Sequence, residues 1–571
     1  MNNYFDLSKK LLFIINKKFI SVSFLIILFL FGSFLELMSL GIIFPYIKLL
    51  IEPETINFSQ NFSFLNELSF KQYFLLLTSV LVFLFFFKTV MSVLIKWLTI
   101  RFSQQQLKIL QVNLMAAYQN MNYIEYTSRN KSEYIRNLRE FSIDCLQGIE
   151  SLLRLISEGI VVISISVYLA FVNFYAFISL SSMVCIVYLL FNIPLKRKLV
   201  EFGKLKSDGR KTIYQNITEA FNGFKELRVF SKEIFFRNLI AQGAEKVCKN
   251  ETKAALISVL PRYIFEILIV FFVIFFISIS IFKGSELNLI LPTVGVFAVA
   301  GLRILPAGSE IMAQISRLNY VTHGVNITFN DLKKYKNNST MVDVIDSNQN
   351  FSSIELKDIT FKYPSSKTHI FKNLNLKITK NQFIGIVGES GIGKSTLIDI
   401  LLGLIQPEEG KIILNGDKEL NSIKDWNGKI AYLPQDDLIL DHDLKTNISL
   451  AYGEKNQDLE KIKDSIIKSN LEKMINNLPN GLNTKIGENG VRLSGGQNKR
   501  ISLARTFYHN KDIVIMDEAT SSLDVDTEKN IVEQIGHLKD KKTIILITHK
   551  KSTLKYCDVI YEIKNQVLIK Q

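Results

Sequence analysis

Cysteine, histidine and charge are all scarce in this sequence. Its 571 residues include only four cysteines and six histidines, with no C-x-x-C pair and no metal-ligand spacing between the two types. This excludes a disulfide-stapled secreted domain, and we expect Cys145, Cys185, Cys248 and Cys557 to be reduced hydrophobic side chains. Charged residues reach 21% against 48% hydrophobic residues, which excludes a disordered or collagenous chain. The composition favours a protein that lies partly in a membrane.

Long apolar runs fill the chain up to about residue 320. A helix needs about 20 apolar residues to cross the hydrocarbon core of a bilayer. Six runs satisfy this requirement, and we predict a membrane-spanning helix in each: 19–50, 72–100, 141–171, 173–195, 256–282 and 288–316. The first run is too long for the apolar part of a signal peptide. Several runs exceed the length of a span, so we expect the helices to continue into the cytoplasm.

The net charge of +15 is distributed unevenly along the chain. Lys and Arg are dense at the N-terminus and in 101–140 and 196–255, whereas 51–71 and 283–287 hold one lysine each. The positive-inside rule therefore places both termini in the cytoplasm. In a soluble protein such a basic charge would indicate nucleic-acid binding. Here the membrane topology accounts for the charge, so we predict no nucleic-acid partner.

The sequence changes character after about residue 320. The segment 331–353 is polar and rich in Asn and Ser, which is typical of a linker. Alternating strand and helix patterns with Gly-rich turns follow it. We predict a transmembrane domain over 1–330, a linker over 331–353 and an α/β domain over 354–571.

The α/β part opens with a phosphate-binding pattern. The apolar strand Phe383–Val387 precedes GESGIGKST, which fits G-x-x-x-x-G-K-[ST]. Backbone N–H groups of such a loop wrap the phosphates, and the next helix adds its positive N-terminus. We expect Lys394 to reach the β- and γ-phosphates and Ser395 to bind Mg²⁺. The predicted nucleotide-binding residues of this loop are Gly388, Ser390, Gly391, Gly393, Lys394, Ser395 and Thr396.

A second candidate for phosphate chemistry is the strand-like segment Ile513–Glu518, IVIMDE. A carboxylate at the end of a buried strand beside a phosphate-binding loop can hold Mg²⁺ or its water, and Asp517 takes this role. Glu518 is the candidate that orients and activates the attacking water.

Between these elements lies LSGGQ, Leu493–Gln497, and with it the C-terminal part resembles ATP-binding cassette (ABC) proteins. The resemblance implies ATP and Mg²⁺ as cofactors and assigns further roles by motif. Tyr363 would stack on adenine, Gln435 would contact Mg²⁺ and the membrane domain, and His549 would contact the γ-phosphate. Glu488 matches the X-loop, and Ser522–Asp524 matches the D-loop.

In that family the signature of one cassette faces the ATP of another. The resemblance therefore implies that Ser494, Gly495, Gly496 and Gln497 contact nucleotide across an interface. One membrane domain with one intact cassette is similar to a half-transporter, and we predict a homodimer. The implied fold is a multidomain membrane protein, with a six-helix transmembrane domain and long cytoplasmic helical extensions followed by an α/β P-loop nucleotide-binding domain. In this fold 123–138 and 218–236 would form the two coupling regions.

The membrane part resembles bacterial lipid-linked oligosaccharide flippases of the PglK type. The resemblance rests on Phe34–Pro45, Pro261–Tyr263 and Arg303–Pro306, and on a polar stretch at 51–68 where those proteins have an external helix. It implies a bacterial cytoplasmic membrane location and an anionic lipid-linked glycan as cargo. Cations that could line a cavity for such a head group are Lys88, Lys96, Arg262 and Arg303.

Four alternatives remain open. The four cations could instead snorkel to the membrane interface or pair with Glu36, Glu158, Glu266 or Glu310. Glu310 also departs from the pattern expected of those flippases. The cargo could be a drug, a peptide or an ordinary lipid. The chain could also be a soluble cassette ATPase acting on DNA or ribosomes, which the six predicted spans disfavour, or a nucleotide-gated channel, which the intact Glu518 and signature glycines disfavour.

Overall fold

The structure, a computed structural model, describes residues 2–15, 19–51, 70–282, 287–335, 351–364, 366–421, 423–426, 428–451, 453, 457–487, 493–518, 525–548 and 550–571. The chain forms two compact units. One comprises Met1–Met121 with Tyr126–Ser339, and the other comprises Asn122–Glu125 with Thr340–Gln571. Most of the predicted linker and the predicted external helix at 51–68 lie outside the described residues, so both stay predictions.

The first unit is helical. Its helices are α1 (Asn2–Ile14), α2 (Phe19–Ile51), α3 (Phe70–Gln119), α4 (Tyr123–Ser128), α5 (Lys131–Arg136), α6 (Ser142–Val172), α7 (Phe174–Asn222), α8 (Phe224–Val229), α9 (Glu233–Phe282) and α10 (Leu287–Tyr335), with one π-helical stretch at Asn137–Phe141. Each of the six predicted spans lies on a long helix. The helices α3, α7, α9 and α10 extend well beyond the apolar runs that suggested them.

Four segments of the described residues are long and apolar enough to cross a membrane: Ile20–Ile42, Phe74–Gln119, Lys131–Val172 and Glu233–Phe275. Large apolar side chains on these helices point outward, such as Phe83 and Phe86 of α3, which are 64% and 68% exposed. Such surface is unfavourable in water and favourable in lipid. Spans in α7 and α10 stay predictions.

Close helix contacts hold the first unit together. A Cβ on Gly209 of α7 would lie 2.9 Å from the Gly243 carbonyl oxygen of α9, so these backbones meet where only glycine fits. The helix α1, which the sequence analysis did not predict, buries Leu7, Leu11 and Ile14 in a cluster with Cys145 and Val325. Cys145 is fully buried, as expected for a hydrophobic side chain.

The second unit contains two main sheets. Its strands are β1 (Ser353–Phe361), β2 (Phe371–Thr379), β3 (Phe383–Val387), β4 (Glu409–Leu414), β5 (Lys418–Glu419), β6 (Ile430–Leu433), β7 (His442–Asp443), β8 (Lys485–Ile486), β9 (Ile513–Asp517), β10 (Thr543–Ile547), β11 (Val559–Lys564) and β12 (Val567–Lys570). The antiparallel sheet has the order β2-β1-β4-β5. The larger sheet has the order β12-β11-β3-β10-β9-β6 and is parallel except for β12. A large core cluster includes Ile359, Leu374, Leu397 and Ile515.

Helices pack around these sheets: α11 (Lys394–Leu401), α12 (Leu444–Ser449), α13 (Leu459–Lys468), α14 (Glu472–Asn476), α15 (Gly495–His509), α16 (Val525–Gly536) and α17 (Lys551–Leu554). The helix α4 divides between the two units: Asn122–Glu125 belongs to this one, where Tyr123 and Ile124 pack against its core.

The strand order determines where the functional loops lie. The strands β3, β10, β9 and β6 are parallel neighbours, with Ile547 opposite Asp517 and Leu433 opposite Met516. Ligands of parallel α/β sheets bind outside the carboxyl ends of the strands. The loops that follow these four strands begin at one edge of the sheet, and each carries one of the predicted motifs.

Candidate ATP site

The loop between β3 and α11 has the backbone that phosphate binding requires. Gly391 and Gly393 have φ of 80° and 112°, a region that side chains other than glycine rarely adopt. A Cβ on Gly393 would also lie 2.5 Å from Ile370 Cγ2. The loop therefore packs closely against Ile370, just before β2, and presents backbone N–H groups at the start of α11.

Lys394 and Tyr363 lie beside this loop. The Lys394 Nζ donates to the carbonyl oxygens of Gly388 (2.8 Å) and Glu389 (2.9 Å), and phosphate oxygens can replace both acceptors. The Tyr363 hydroxyl lies 3.3 Å from Thr396 Oγ1, and its ring packs edge-on against Phe361. This geometry suits an aromatic side chain that borders the nucleotide, although the stacking role itself stays a prediction.

Asp517 ends the buried strand β9 and is only 5% exposed. Burial raises its pKa, and the neighbouring Glu518 charge raises it further, whereas Lys499 and Lys394 oppose the shift. Asp399 of α11 is affected similarly: burial and then Asp517 raise its pKa to about 6. Carboxylates with insufficient positive charge nearby suit a divalent cation, and oxygen donors are the ligands that Mg²⁺ prefers. Asp517 therefore fits the predicted magnesium role, and the magnesium roles of Ser395 and Gln435 stay predictions.

Glu518 and Gln435 are brought together although they lie 83 residues apart. Gln435 Nε2 donates to Glu518 Oε2 at 3.0 Å. Glu518 also has a φ of 49°, a left-handed backbone that is uncommon for a residue other than glycine. The contact holds the Glu518 carboxylate beside the loop that follows β6. The role of Glu518 in positioning water stays a prediction.

The signature residues form the start of α15. The Gln497 N–H donates to Ser494 Oγ (3.2 Å), and the Ser494 N–H donates to Gln497 Oε1 (2.8 Å), which makes a capping box. Ser494 and Gly495 are exposed. Because α15 has 15 residues, its N-terminus offers N–H groups and a positive dipole end to an anion outside the subunit.

Several predicted positions lie outside the described residues: His549, Glu488 and Ser522–Asp524. Their roles stay predictions. Next to His549, Lys550 Nζ donates to Glu528 Oε2 (2.6 Å), and Ser552 Oγ donates to Glu528 Oε1 (3.0 Å). Glu528 of α16 therefore anchors the chain just after the predicted switch histidine.

Three of the four cations predicted in the membrane part are paired with carboxylates. Lys88 lies 3.1 Å from Glu36, Arg303 contacts both Glu36 and Glu158, and Arg262 lies 3.1 Å from Glu266. These are carboxylates that the sequence analysis named as alternative partners. Lys96 lines a cavity near Arg154 and Glu310. Arg303 lines the same cavity, whereas Arg262 lines a second one.

Comparison with known proteins indicates the family of the chain. The family model described as ABC transporter matches residues 371–521. A protein of Rickettsia felis, provisionally named an export ATP-binding/permease protein, is 31% identical over 409 residues, which cover 68% of each chain. This chain belongs to the ABC transporter family.

Other ABC transporters match the cassette alone. ABC transporter B family member 3 of Dictyostelium discoideum is 37% identical over 220 residues, covering 38% of this chain and 15% of that protein. The YheI protein of Bacillus subtilis, provisionally named a multidrug resistance ABC transporter ATP-binding/permease protein, is 36% identical over 211 residues, covering 36% and 35%. The chain thus spans only a small part of the Dictyostelium protein.

A solved structure of a bacterial Atm1-family ABC exporter with ATP bound superposes with a TM-score of 0.75 at 18% identity, covering 97% of this chain and 94% of that one. The predicted fold class is therefore confirmed: a multi-pass helical transmembrane domain followed by a P-loop nucleotide-binding domain, the fold of ABC exporters.

The sequence analysis missed Lys499, which is 1% exposed on α15 of this ABC transporter. Its Nζ donates to the carbonyl oxygens of Pro434 (2.7 Å) and Gln435 (2.9 Å), and it lies 3.5 Å from Asp437 Oδ1. A buried lysine thus connects the signature helix to the loop of Gln435. Helical spacing could have indicated it, since Lys499 shares the inward face of α15 with the fully buried Leu503.

Proposed function

We propose that this ABC transporter couples ATP hydrolysis to the export or flipping of an amphipathic substrate across the bacterial cytoplasmic membrane, with both termini in the cytoplasm. The proposal rests on one observation above all. The carboxyl ends of β3, β6 and β9 carry the P-loop, Gln435, and Asp517 with Glu518 at one edge of the same sheet. The same chain has helices apolar enough to cross a membrane.

The roles of the ATP-site residues follow from their chemistry. Lys394 and the P-loop N–H groups hold the β- and γ-phosphates, and Ser395, Gln435 and Asp517 would hold Mg²⁺, which neutralises phosphate charge when bound. Glu518 orients the attacking water and accepts its proton. Gln435 holds Glu518 in place through the 3.0 Å hydrogen bond between them. His549 contacts the γ-phosphate in this proposal.

A second copy of the chain completes the site. The signature residues Ser494–Gln497 offer their donors outward at an exposed helix N-terminus, where ATP held by another subunit can accept them. A further surface supports a homodimer. Around α8, apolar side chains in the predicted second coupling region are 58–73% exposed: Phe221, Phe224, Val229, Phe230, Ile234 and Phe235. A patch of this kind at the cytoplasmic end of long helices fits a protein partner.

For the cargo we propose a lipid-linked oligosaccharide, on the resemblance of the membrane part to the PglK-type flippases. Arg303, Lys96 and Arg154 line a cavity in the first unit, where cations can bind a pyrophosphate head group. The alternative cargo is a drug, a peptide or an ordinary lipid. The Bacillus subtilis relative named for multidrug resistance favours it, and so does the presence of Glu36, Glu158 and Glu310 in the same cavity.

Transport assays in proteoliposomes separate these cargoes. We expect ATP to move a polyprenyl-pyrophosphate oligosaccharide between leaflets, measured by its accessibility to a membrane-impermeant glycosidase, and we expect Glu518→Gln to abolish the movement. ATP hydrolysis without movement of this lipid, but with movement of a drug, a peptide or a phospholipid, would replace the proposed cargo and keep the ATP-driven mechanism.

A further inference from the structure

Two cavities of the first unit meet at one ion pair. The larger, of about 730 Å³, is lined by parts of α6, α7, α9 and α10, and the smaller, of about 210 Å³, by parts of α2, α3, α6 and α10. Arg154 of α6 and Glu310 of α10 line both cavities. Arg154 Nη1 donates to Glu310 Oε1 at 2.9 Å, and the two side chains are 34% and 37% exposed. A solute that passes between the cavities therefore meets this pair.

The lining charges of the two cavities differ. The larger has three acidic residues, Asp144, Glu251 and Glu310, against five basic ones: Arg154, Lys206, Arg210, Arg262 and Arg317. The lining itself therefore has two more basic than acidic residues. Two of these cations, Arg262 and Arg210, also pair with carboxylates outside the lining, Glu266 and Glu140. The smaller cavity has three residues of each sign. The larger cavity therefore offers an anion more cationic side chains with which to pair, five against three.

Glu310 can release Arg154 without losing every hydrogen bond. Gln314 Nε2 donates to Glu310 Oε1 at 2.7 Å. Gln314 is itself held by Ser151, whose Oγ donates to Gln314 Oε1 at 2.7 Å. Breaking an ion pair is costly mainly when a charge is left without a partner. Here the carboxylate keeps an amide donor while oxygens of another anion take its place on Arg154.

We propose that Arg154 and Glu310 form an exchange pair, in which the phosphate-type head group of the cargo binds in the larger cavity and displaces Glu310 from Arg154 to reach the smaller one. This inference rests on the proposed export function and adds to it a specific site. The ligand chemistry is a phosphate or pyrophosphate oxyanion, which can belong to a lipid head group or to a free phosphate. A guanidinium binds such oxyanions with paired, charge-assisted hydrogen bonds.

Equilibrium binding to the full-length protein in nanodiscs, without ATP, tests the exchange pair. The probes are a polyprenyl pyrophosphate, the uncharged polyprenol and inorganic pyrophosphate. Glu310→Gln keeps the side-chain volume and removes the competing carboxylate, so the polyprenyl pyrophosphate should bind about fivefold more tightly. Arg154→Gln removes the cation and should weaken its binding about tenfold or more. Polyprenol binding should change in neither variant.

Glu233→Gln is the matched control, because it removes a carboxylate from an exposed Arg–Glu pair, with Arg228, that lines neither cavity. It should bind all probes as the wild type does. Wild-type affinity in Glu310→Gln would overturn the inference even if Arg154→Gln failed to fold, and so would equal changes for polyprenol. If the variants change the affinity for inorganic pyrophosphate as much as the affinity for the polyprenyl pyrophosphate, the exchange pair stands and its ligand is a free phosphate compound.

Failure of the inference and of the proposed function can be told apart. Wild-type protein that hydrolyses ATP but binds no pyrophosphate compound would overturn the exchange pair and leave ATP-driven export standing. Protein that lacks ATP hydrolysis but shows the binding changes in both variants would overturn the export proposal and support the site.

Discussion

Replacing Lys499 with methionine tests how the cassette connects its signature helix to the Gln435 loop. Methionine matches the length of the lysine side chain but lacks the ammonium group that contacts Pro434, Gln435 and Asp437. Because Lys499 is 1% exposed and Asp437 is largely buried, the substitution leaves two carbonyl oxygens without this donor and a carboxylate without its cation.

The expected cost is substantial. A hydrogen bond to a charged group contributes about 1.5–3 kcal/mol, and removing one partner of a buried pair costs about 3–5 kcal/mol. We therefore expect Lys499→Met to destabilise the cassette by about 3 kcal/mol, which for a domain of this size lowers its Tm by about 10 °C. Since the lysine also holds the Gln435 backbone, the folded variant should have a kcat for ATP hydrolysis at least about tenfold lower, with little change in KM for ATP.

Tryptophan fluorescence can follow this unfolding. The protein has two tryptophans, Trp97 and Trp426, and Trp426 is buried in the cassette. In a Trp97→Phe background, Trp426 reports on the cassette alone. Arg500→Met is the matched control, since Arg500 lies on the same helix and donates to Asn470 and Gly496, away from the Gln435 loop. It should leave kcat unchanged, and Lys499→Arg should restore part of the lost rate.

Two results would refute this reasoning. One is a Lys499→Met protein with the Tm and the kcat of the wild type. The other is a loss of kcat in Arg500→Met equal to that in Lys499→Met, since this would show that any disturbance of α15 has the same effect.

The other predictions concern the P-loop, a buried acid and the membrane ion pairs. Gly393→Ala should weaken ATP binding about tenfold or more, because the added Cβ would collide with Ile370. Gly416→Ala is the control: Gly416 also has a positive φ, 91°, but has open space around it, so ATP affinity should not change. The affinity of each variant for a fluorescent ATP analogue measures the difference. The pKa of Asp399 is raised from 3.8 to about 6, so the fold favours its neutral form and loses stability as pH rises through 6. Asn stays neutral at every pH, so Asp399→Asn should raise the cassette Tm by about 3 °C near pH 7.5 and by almost nothing near pH 4. An equal Tm difference at both pH values would contradict this. Glu36→Gln, which removes the carboxylate shared by Lys88 and Arg303, should lower the Tm of the membrane unit far more than Glu266→Gln of the exposed Arg262 pair; equal shifts would refute the role of the buried network.

The sequence predicts most of the local structure and little of its assembly. The P-loop is readable because a strand, a glycine-rich turn and a helix follow one another directly, and Asp517 is readable because it ends a continuous apolar strand. The contact between Gln435 and Glu518 depends instead on β6 lying beside β9, a neighbour relation that crosses many residues and has no local signal. The burial of Lys499 depends on the same packing.

The membrane part shows a similar division. Apolar runs located six long helices but not α1, whose lysines interrupt its apolar face. The cations were visible in the sequence, and so were the carboxylates. That Arg303 pairs with Glu36, 267 residues away, follows only from how α2 and α10 pack. Two cavities that share one ion pair are likewise a property of six packed helices.

ATP hydrolysis by the full-length protein in proteoliposomes, with and without Glu518→Gln, tests the central claim most directly. The account predicts that wild-type protein hydrolyses ATP and that the variant binds ATP with similar affinity but hydrolyses it at least about 100-fold more slowly. Hydrolysis by the variant at the wild-type rate would show that the ends of β3, β6 and β9 do not form the catalytic site described for them.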